Sequence, residues 1–369
     1  MSNYDNSQEE IRRAEWNKKI ARMKYEKELA LKRRQLFLKY GIPAIAIVLI
    51  LSIIIAVITV VTKKVIEKDA TVVNSNVEIE IETISSEPET VVEAPKPTYN
   101  YEYKEADSMD FLSGDNMQSA NAILVNIDTD TIVGQVDYKA RIVPASMTKV
   151  MTVLVAAENL EDMEEKVTVS VDATDFAYRN DCSSVGFLDG ETVTVEDLFY
   201  GTILCSGGDA AAQLAIRVAG SQEAFVDMMN EKCEELGISG TTHFTNTVGL
   251  FNEDHYSTCY DMAIIMNAAI DNEYCKKVMS AKKYTTSPTV EHPEGISISN
   301  WFLRRIEDKD AGGPVICAKT GYVVQSGNCA VSYAQNENGT NYICVTASAH
   351  SGWRCIYDHV DIYKNHANK

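Results

Sequence analysis

The rhythm of apolar positions changes along the chain. Residues 8–38 interleave Glu, Lys, Arg, Ala and Leu without Gly or Pro, a texture that favours a charged, solvated helix. From Ile42 to Val61 about twenty residues carry no charge, enough to cross roughly 30 Å of hydrocarbon as one helix. Residues 65–106 then mix Val, Ile, Glu and Thr with Pro95 and Pro97 and show no helical period, which predicts an acidic, disordered spacer. From Phe111 the texture becomes globular. Ala122–Ile127 and Thr131–Val136, joined by the turn-like Asp128–Asp130, predict a hairpin. Pro144 followed by an apolar period over Thr148–Leu160 predicts a helix with Ser146 in its first turn. Helical periods recur at 195–205, 209–219, 222–236 and 260–269, punctuated by Gly220, Gly237 and Gly240. Strand texture returns at 315–319, 328–334 and 342–349, before a short helix near 356–364. Strands, a helical block, then strands again predict an α+β domain whose sheet is assembled from both chain ends, with a helical lobe inserted. No internal repeat is present.

Charge refines this division. The formal net charge is −19, yet residues 1–40 hold 11 Lys and Arg against 6 Asp and Glu. An anionic exterior beyond residue 40 argues against nucleic acid as a partner. The basic cluster Lys32, Arg33, Arg34 and Lys39 outweighs Lys63 and Lys64 across the apolar run, which places the N-terminus in the cytoplasm. No small-residue cleavage site follows Val61, so the run reads as a retained anchor. The expected organisation is a charged cytoplasmic helix over 1–40, a transmembrane helix over 41–62 that holds the membrane through residues 42–61, a disordered acidic linker over 63–110, and an extracytoplasmic folded domain over 111–369.

Nine cysteines all follow the apolar run, and none is spaced C-x-x-C. Several sit in apolar strings, as in Leu204-Cys205, where a free thiol behaves as a small core residue. A domain of this size needs no disulfide staples. The six histidines show no zinc-peptidase spacing, so no metal or other cofactor is expected.

Three strings carry the chemistry: Ser146-Met147-Thr148-Lys149, Ser206-Gly207-Gly208 and Lys319-Thr320-Gly321. A serine with a lysine three residues later on one helix face is a nucleophile beside an amine that can take its proton. A free lysine titrates near 10.4, so burial and a neighbouring cation such as Lys319 must depress Lys149. Ser206, before two glycines, suits a hydroxyl presented into a cleft for proton relay. Lys319-Thr320-Gly321 ends a strand and offers an ammonium, a hydroxyl and room for a substrate backbone to add as a strand. The backbone N–H groups of Ser146 and Tyr322 are the candidate oxyanion donors. Ser280 and Lys283 repeat the Ser-x-x-Lys spacing in a polar stretch and read as a coincidence.

The order and surroundings of these strings closely resemble the serine D-alanyl-D-alanine carboxypeptidases, among the low-molecular-mass penicillin-binding proteins. The resemblance covers roughly 121–351 and rests on the strings around Ser146, Ser206 and Lys319, with Gly190–Leu198, Thr242–Asn246 through Leu250, and His255–Thr258. It implies the penicillin-binding/β-lactamase-like transpeptidase fold, an antiparallel sheet flanked by helices beside an all-helical lobe. It further implies catalytic roles for Ser146, Lys149 and Ser206, and substrate binding by Lys319, Thr320, Gly321, Tyr322 and Gly208. The partners implied are a peptidoglycan stem peptide ending in D-Ala-D-Ala, and β-lactams as acylating inhibitors, in the envelope of a Gram-positive-type bacterium. His243 and His255 are expected to be structural. The family's second string usually ends in Asn where this chain has Gly208, so water or another residue must substitute, or turnover is slow. Asp209 matches the position after the motif and is not expected to take that role. A β-lactamase, a catalytically weak sensor or wall-binding module, and an endopeptidase acting on crosslinks are the competing functions.

Overall fold

The computed structural model describes residues 101–112 and 117–367. The charged segment, the apolar run 42–61 and most of the expected linker lie outside them. No helix among the described residues is long and apolar enough to cross a membrane.

Six strands form the main sheet: β1 (Lys104–Phe111), β2 (Asn121–Asn126), β3 (Thr131–Val136), β8 (Val315–Val323), β9 (Gly327–Gln335) and β10 (Asn341–Ala349), in the spatial order β1-β3-β2-β10-β9-β8. The expected hairpin β2–β3 therefore lies beside strands from the far end of the chain. Strand β10 pairs with β2 through Val345 opposite Ile123 and Ile343 opposite Val125. Alternate residues feed opposite faces. Ile123, Val125, Ile343 and Val345 join the core under the helical lobe, while Leu124 and Cys344 pack on Ile362 and Tyr363 behind the sheet. Both faces are covered, which is why these strands read as unbroken apolar runs.

Two expectations are corrected here. The sheet is mixed, because β1 runs parallel to β3 (Lys104 opposite Thr131, Phe111 opposite Gln135) while every other pairing is antiparallel. The expected disordered linker 63–110 also overlaps this strand, so the folded domain starts before residue 111. The sequence hid β1 because it is an edge strand with mostly solvated side chains, held through backbone pairing that needs no apolar period. Tyr103, just ahead of it, is buried edge-to-face on Tyr260.

Between β3 and β8 the chain builds the lobe: α1 (Lys149–Asn159), α2 (Val171–Arg179), α3 (Val195–Leu204), α4 (Gly208–Ala219), α5 (Gln222–Glu235), α6 (Cys259–Asp271) and α7 (Glu273–Ser280). Two-stranded ribbons β4–β5 (Lys166–Thr168, Thr192–Thr194) and β6–β7 (Lys283–Thr285, Ser297–Ser299) and the short α8 (Leu303–Ile306) complete it. Helix α1 is buried from Lys149 to Ala156 and touches α3, α4, α5 and α6, so it is the axle of the lobe. A capping box between Thr194 and Asp197 starts α3, and Gly220 ends α4 in the left-handed conformation. Helix α9 (Gly352–His366) closes the opposite face of the sheet. The nine cysteines are all free, seven of them buried.

Candidate active site

A cleft of roughly 590 Å³ lies where edge strand β8 meets the lobe, and Ser146, Ser206, Lys319, Thr320, Gly321 and Tyr322 all line it. The three strings, separated by up to 173 residues of chain, thus share one cavity. Lys149 and Gly208 lie behind this surface, both buried. The expected substrate-binding residue Gly208 is not among those that line the cleft.

Ser146 sits on a short 3-10 turn, Ala145–Thr148, that leads into α1. Two glycines press on this turn. A Cβ on Gly321 would fall 2.9 Å from both the Pro144 oxygen and the Ser146 nitrogen; one on Gly249, whose φ is +88°, would fall 1.7 Å from the Ala145 oxygen. No side chain fits at either place without displacing the backbone that carries Ser146. Ala145 itself holds φ +46° and Ser206 φ +61°, two non-glycine residues in the left-handed region, the first next to Ser146 and the second lining the cleft.

Lys149 Nζ lies 3.0 Å from Ser146 Oγ and donates to the Val248 carbonyl at 2.9 Å. Burial pulls its ammonium down to about 8 from the usual 10.5. Lys319 is not the cause expected from sequence: burial lowers Lys149, while the nearby thiols and Asp209 act in the opposite direction. The repulsion between the two lysines is felt by Lys319, which burial, followed by the charge of Lys149, holds well below an ordinary lysine. Lys319 Nζ donates to Ser206 Oγ at 2.9 Å and to the Thr320 carbonyl at 2.8 Å. Each lysine therefore faces its own serine hydroxyl across hydrogen-bond distance.

The carbonyl of Val248 belongs to a turn built on Asn246, for which sequence alone predicts no role. Asn246 Oδ1 accepts from the backbone N–H groups of Val248, Gly249 and Leu250 at 3.2, 2.7 and 2.9 Å. Its Nδ2 donates to the Leu250 carbonyl. The signal available was the Asn-Thr-Val-Gly string, a side-chain-capped turn ahead of a glycine. His255 is structural, as expected: its Nδ1 accepts from the Thr245 N–H, so Nε2 carries the hydrogen and donates to Thr148 Oγ1 at 2.9 Å. Burial lowers this imidazole to about 3, so it stays neutral. Ser280 Oγ donates to the Lys277 carbonyl and Lys283 opens a largely exposed strand, and neither lines the cleft.

Residues 108–351, more than half of the chain, match the peptidase S11 family model, described as D-alanyl-D-alanine carboxypeptidase. The chain belongs to this family. It is 30% identical over 221 residues to the D-alanyl-D-alanine carboxypeptidase DacF of Bacillus subtilis, covering 60% of this chain and 55% of that protein. It is 35% identical over 179 residues to DacC of Escherichia coli, covering 46% and 44%. The chain thus spans about half the length of these curated relatives. Among solved structures, a Streptomyces K15 DD-transpeptidase superposes with TM-score 0.62 at 26% identity, covering 68% of this chain and 98% of that one. A Mycobacterium tuberculosis D-alanyl-D-alanine carboxypeptidase superposes with TM-score 0.60 at 25% identity, covering 71% and 95%. The S11 domain accounts for the sheet, the lobe and the cleft.

Proposed function

We propose that the protein is a serine D,D-carboxypeptidase that removes the terminal D-alanine from peptidoglycan stem peptides through an acyl-enzyme on Ser146. The observation that carries this reading is the 3.0 Å separation of Ser146 Oγ from a buried, pKa-depressed Lys149 Nζ. The neutral amine takes the hydroxyl proton as Oγ attacks the penultimate D-alanine carbonyl. The oxyanion formed meets the backbone N–H groups of Ser146 and Tyr322; this is supported by the close approach of Gly321, next to Tyr322, to the Ser146 nitrogen and by both residues lining the cleft. Collapse breaks the amide bond, and the leaving D-alanine nitrogen takes a proton relayed through Ser206. Water then attacks the ester, with Lys149 again accepting a proton, and frees Ser146. Lys319 and Thr320 face the substrate carboxylate, and β8 offers its edge to the substrate backbone.

No Asp or Glu lines the cleft among the described residues, which weighs against a β-lactamase, for which rapid deacylation calls for an added carboxylate. The likeness to a DD-transpeptidase supports a second fate, passage of the same acyl group to an amine. The apolar run 42–61 supports an enzyme held at the outer face of the cell membrane with its N-terminus in the cytoplasm. Incubation with diacetylated Lys-D-Ala-D-Ala should release D-alanine, and an added amino-acid acceptor should compete with water if transfer occurs. Covalent penicillin binding with no D-alanine release would instead favour the sensory reading.

A further inference from the structure

The second string lacks its usual third side chain, and the structure shows what stands there. A Cβ built on Gly208 would fall 2.7 Å from Cys182 Cβ and 3.2 Å from its Sγ. The glycine is therefore obligatory because another residue's side chain already fills the space. Gly208 has no left-handed backbone that would explain it otherwise.

Cys182 is held in that place by three sets of bonds. Helix α2 ends in a left-handed turn at Asp181 (φ +53°), which lets the Cys182 N–H donate to the Ala177 carbonyl at 2.9 Å. The next residue's carbonyl, Ser183 O, accepts from the Gly208 N–H at 2.7 Å. The Asp209 carboxylate then gathers Ser184 Oγ and the backbone N–H groups of Val185, Gly186 and Phe187 at 2.6 to 3.3 Å. These bonds also explain why Asp209 cannot replace the missing amide: its oxygens are committed to the loop.

We propose that Cys182 is a positioning residue of this active site, filling from a different loop the place of the missing third-position side chain and shielding Lys149 from water. The inference rests on the acyl-enzyme reading of the same site. Lys149 is only 2% exposed; a thiolate at Cys182 would raise its ammonium, and burial, which raises the Cys182 thiol, disfavours that anion. A neutral, polarizable thiol both excludes water and places no charge beside the base.

The test uses the full chain and four variants: Cys182→Gly, Cys182→Ser, Gly208→Asn, and the double variant Cys182→Gly/Gly208→Asn. Penicillin acylation is followed from pH 6 to 9. Opening the space in Cys182→Gly should admit water and move the acid limb upward by about one pH unit, a loss of about tenfold at pH 7. Cys182→Ser should keep the wild-type limb. Gly208→Asn should acylate at least about tenfold more slowly, because its side chain collides with Cys182, and the double variant should recover most of that loss. An unmoved limb in Cys182→Gly, or a double variant no faster than Gly208→Asn, overturns the proposal. NMR titration of 13Cε-labelled lysine in wild type and Cys182→Gly reads the Lys149 shift without any substrate. A chain that never acylates would thus sink the functional reading while this measurement still decides the role of Cys182.

Discussion

The Val248 carbonyl accepts from Lys149 Nζ at 2.9 Å and lies 3.4 Å from Ser146 Oγ, so one backbone oxygen meets both side chains. Its position is set by Asn246, whose Oδ1 gathers three backbone N–H groups of the same turn. A side chain outside the cleft lining therefore fixes the carbonyl that meets Lys149 and Ser146.

Replacement of Asn246 by Ala leaves those three donors without their acceptor. Loss of such part-buried bonds costs about 1–3 kcal/mol. The unfolding midpoint in urea should fall accordingly, and penicillin acylation should slow at the same time. An acylation rate equal to wild type in a destabilised Asn246→Ala protein would show that the Val248 carbonyl needs no such support.

The nucleophile assignment is the simplest to check. Ser146→Ala should lose covalent labelling by a fluorescent penicillin while keeping the wild-type melting temperature. Retained labelling would move the nucleophile elsewhere.

The pH dependence follows from Lys149. Acylation requires the free amine, so its rate should climb through about pH 8 and level off above it. Between about 8 and 10.5 the folded state binds fewer protons at this lysine than the unfolded chain does. Stability therefore rises with pH across that window, and the destabilisation is present in full below it. Buried thiols with raised pKa act oppositely. The difference in unfolding free energy between wild type and Lys149→Met, measured at pH 7, 8 and 9, isolates the lysine, and it should move in favour of wild type as pH rises. A difference that is flat or falling would contradict the assignment.

Gly321→Ala should separate fold from function. Its new methyl meets Cys329 Sγ at 2.8 Å and two backbone atoms of the nucleophile turn at 2.9 Å. Such overpacking costs about 1–3 kcal/mol. Acylation should drop by at least about tenfold, because a 1 Å displacement of the serine is enough to spoil attack. A Gly321→Ala chain that acylates normally would show that β8 does not need to approach Ser146 so closely.

Much of the architecture was legible from local pattern. The hairpin β2–β3, helices α1 and α3 to α6, and strands β8 to β10 lie where period and glycine punctuation put them, because a buried face imposes its period on the residues that form it. The order of the three strings, with Ser146 and Lys149 one turn apart, was likewise readable, since three residues along a helix define a spacing without reference to the rest of the chain. What the fold alone decided is the company these residues keep. The parallel edge strand β1 is held by backbone groups that every sequence carries, so its acidic residues resembled a tail. The replacement of an absent side chain at Gly208 by Cys182, and the Val248 oxygen that aims Lys149, join residues 26 and 99 positions apart. Such contacts depend on how helices and turns pack in space, and packing leaves no period in the residues it brings together.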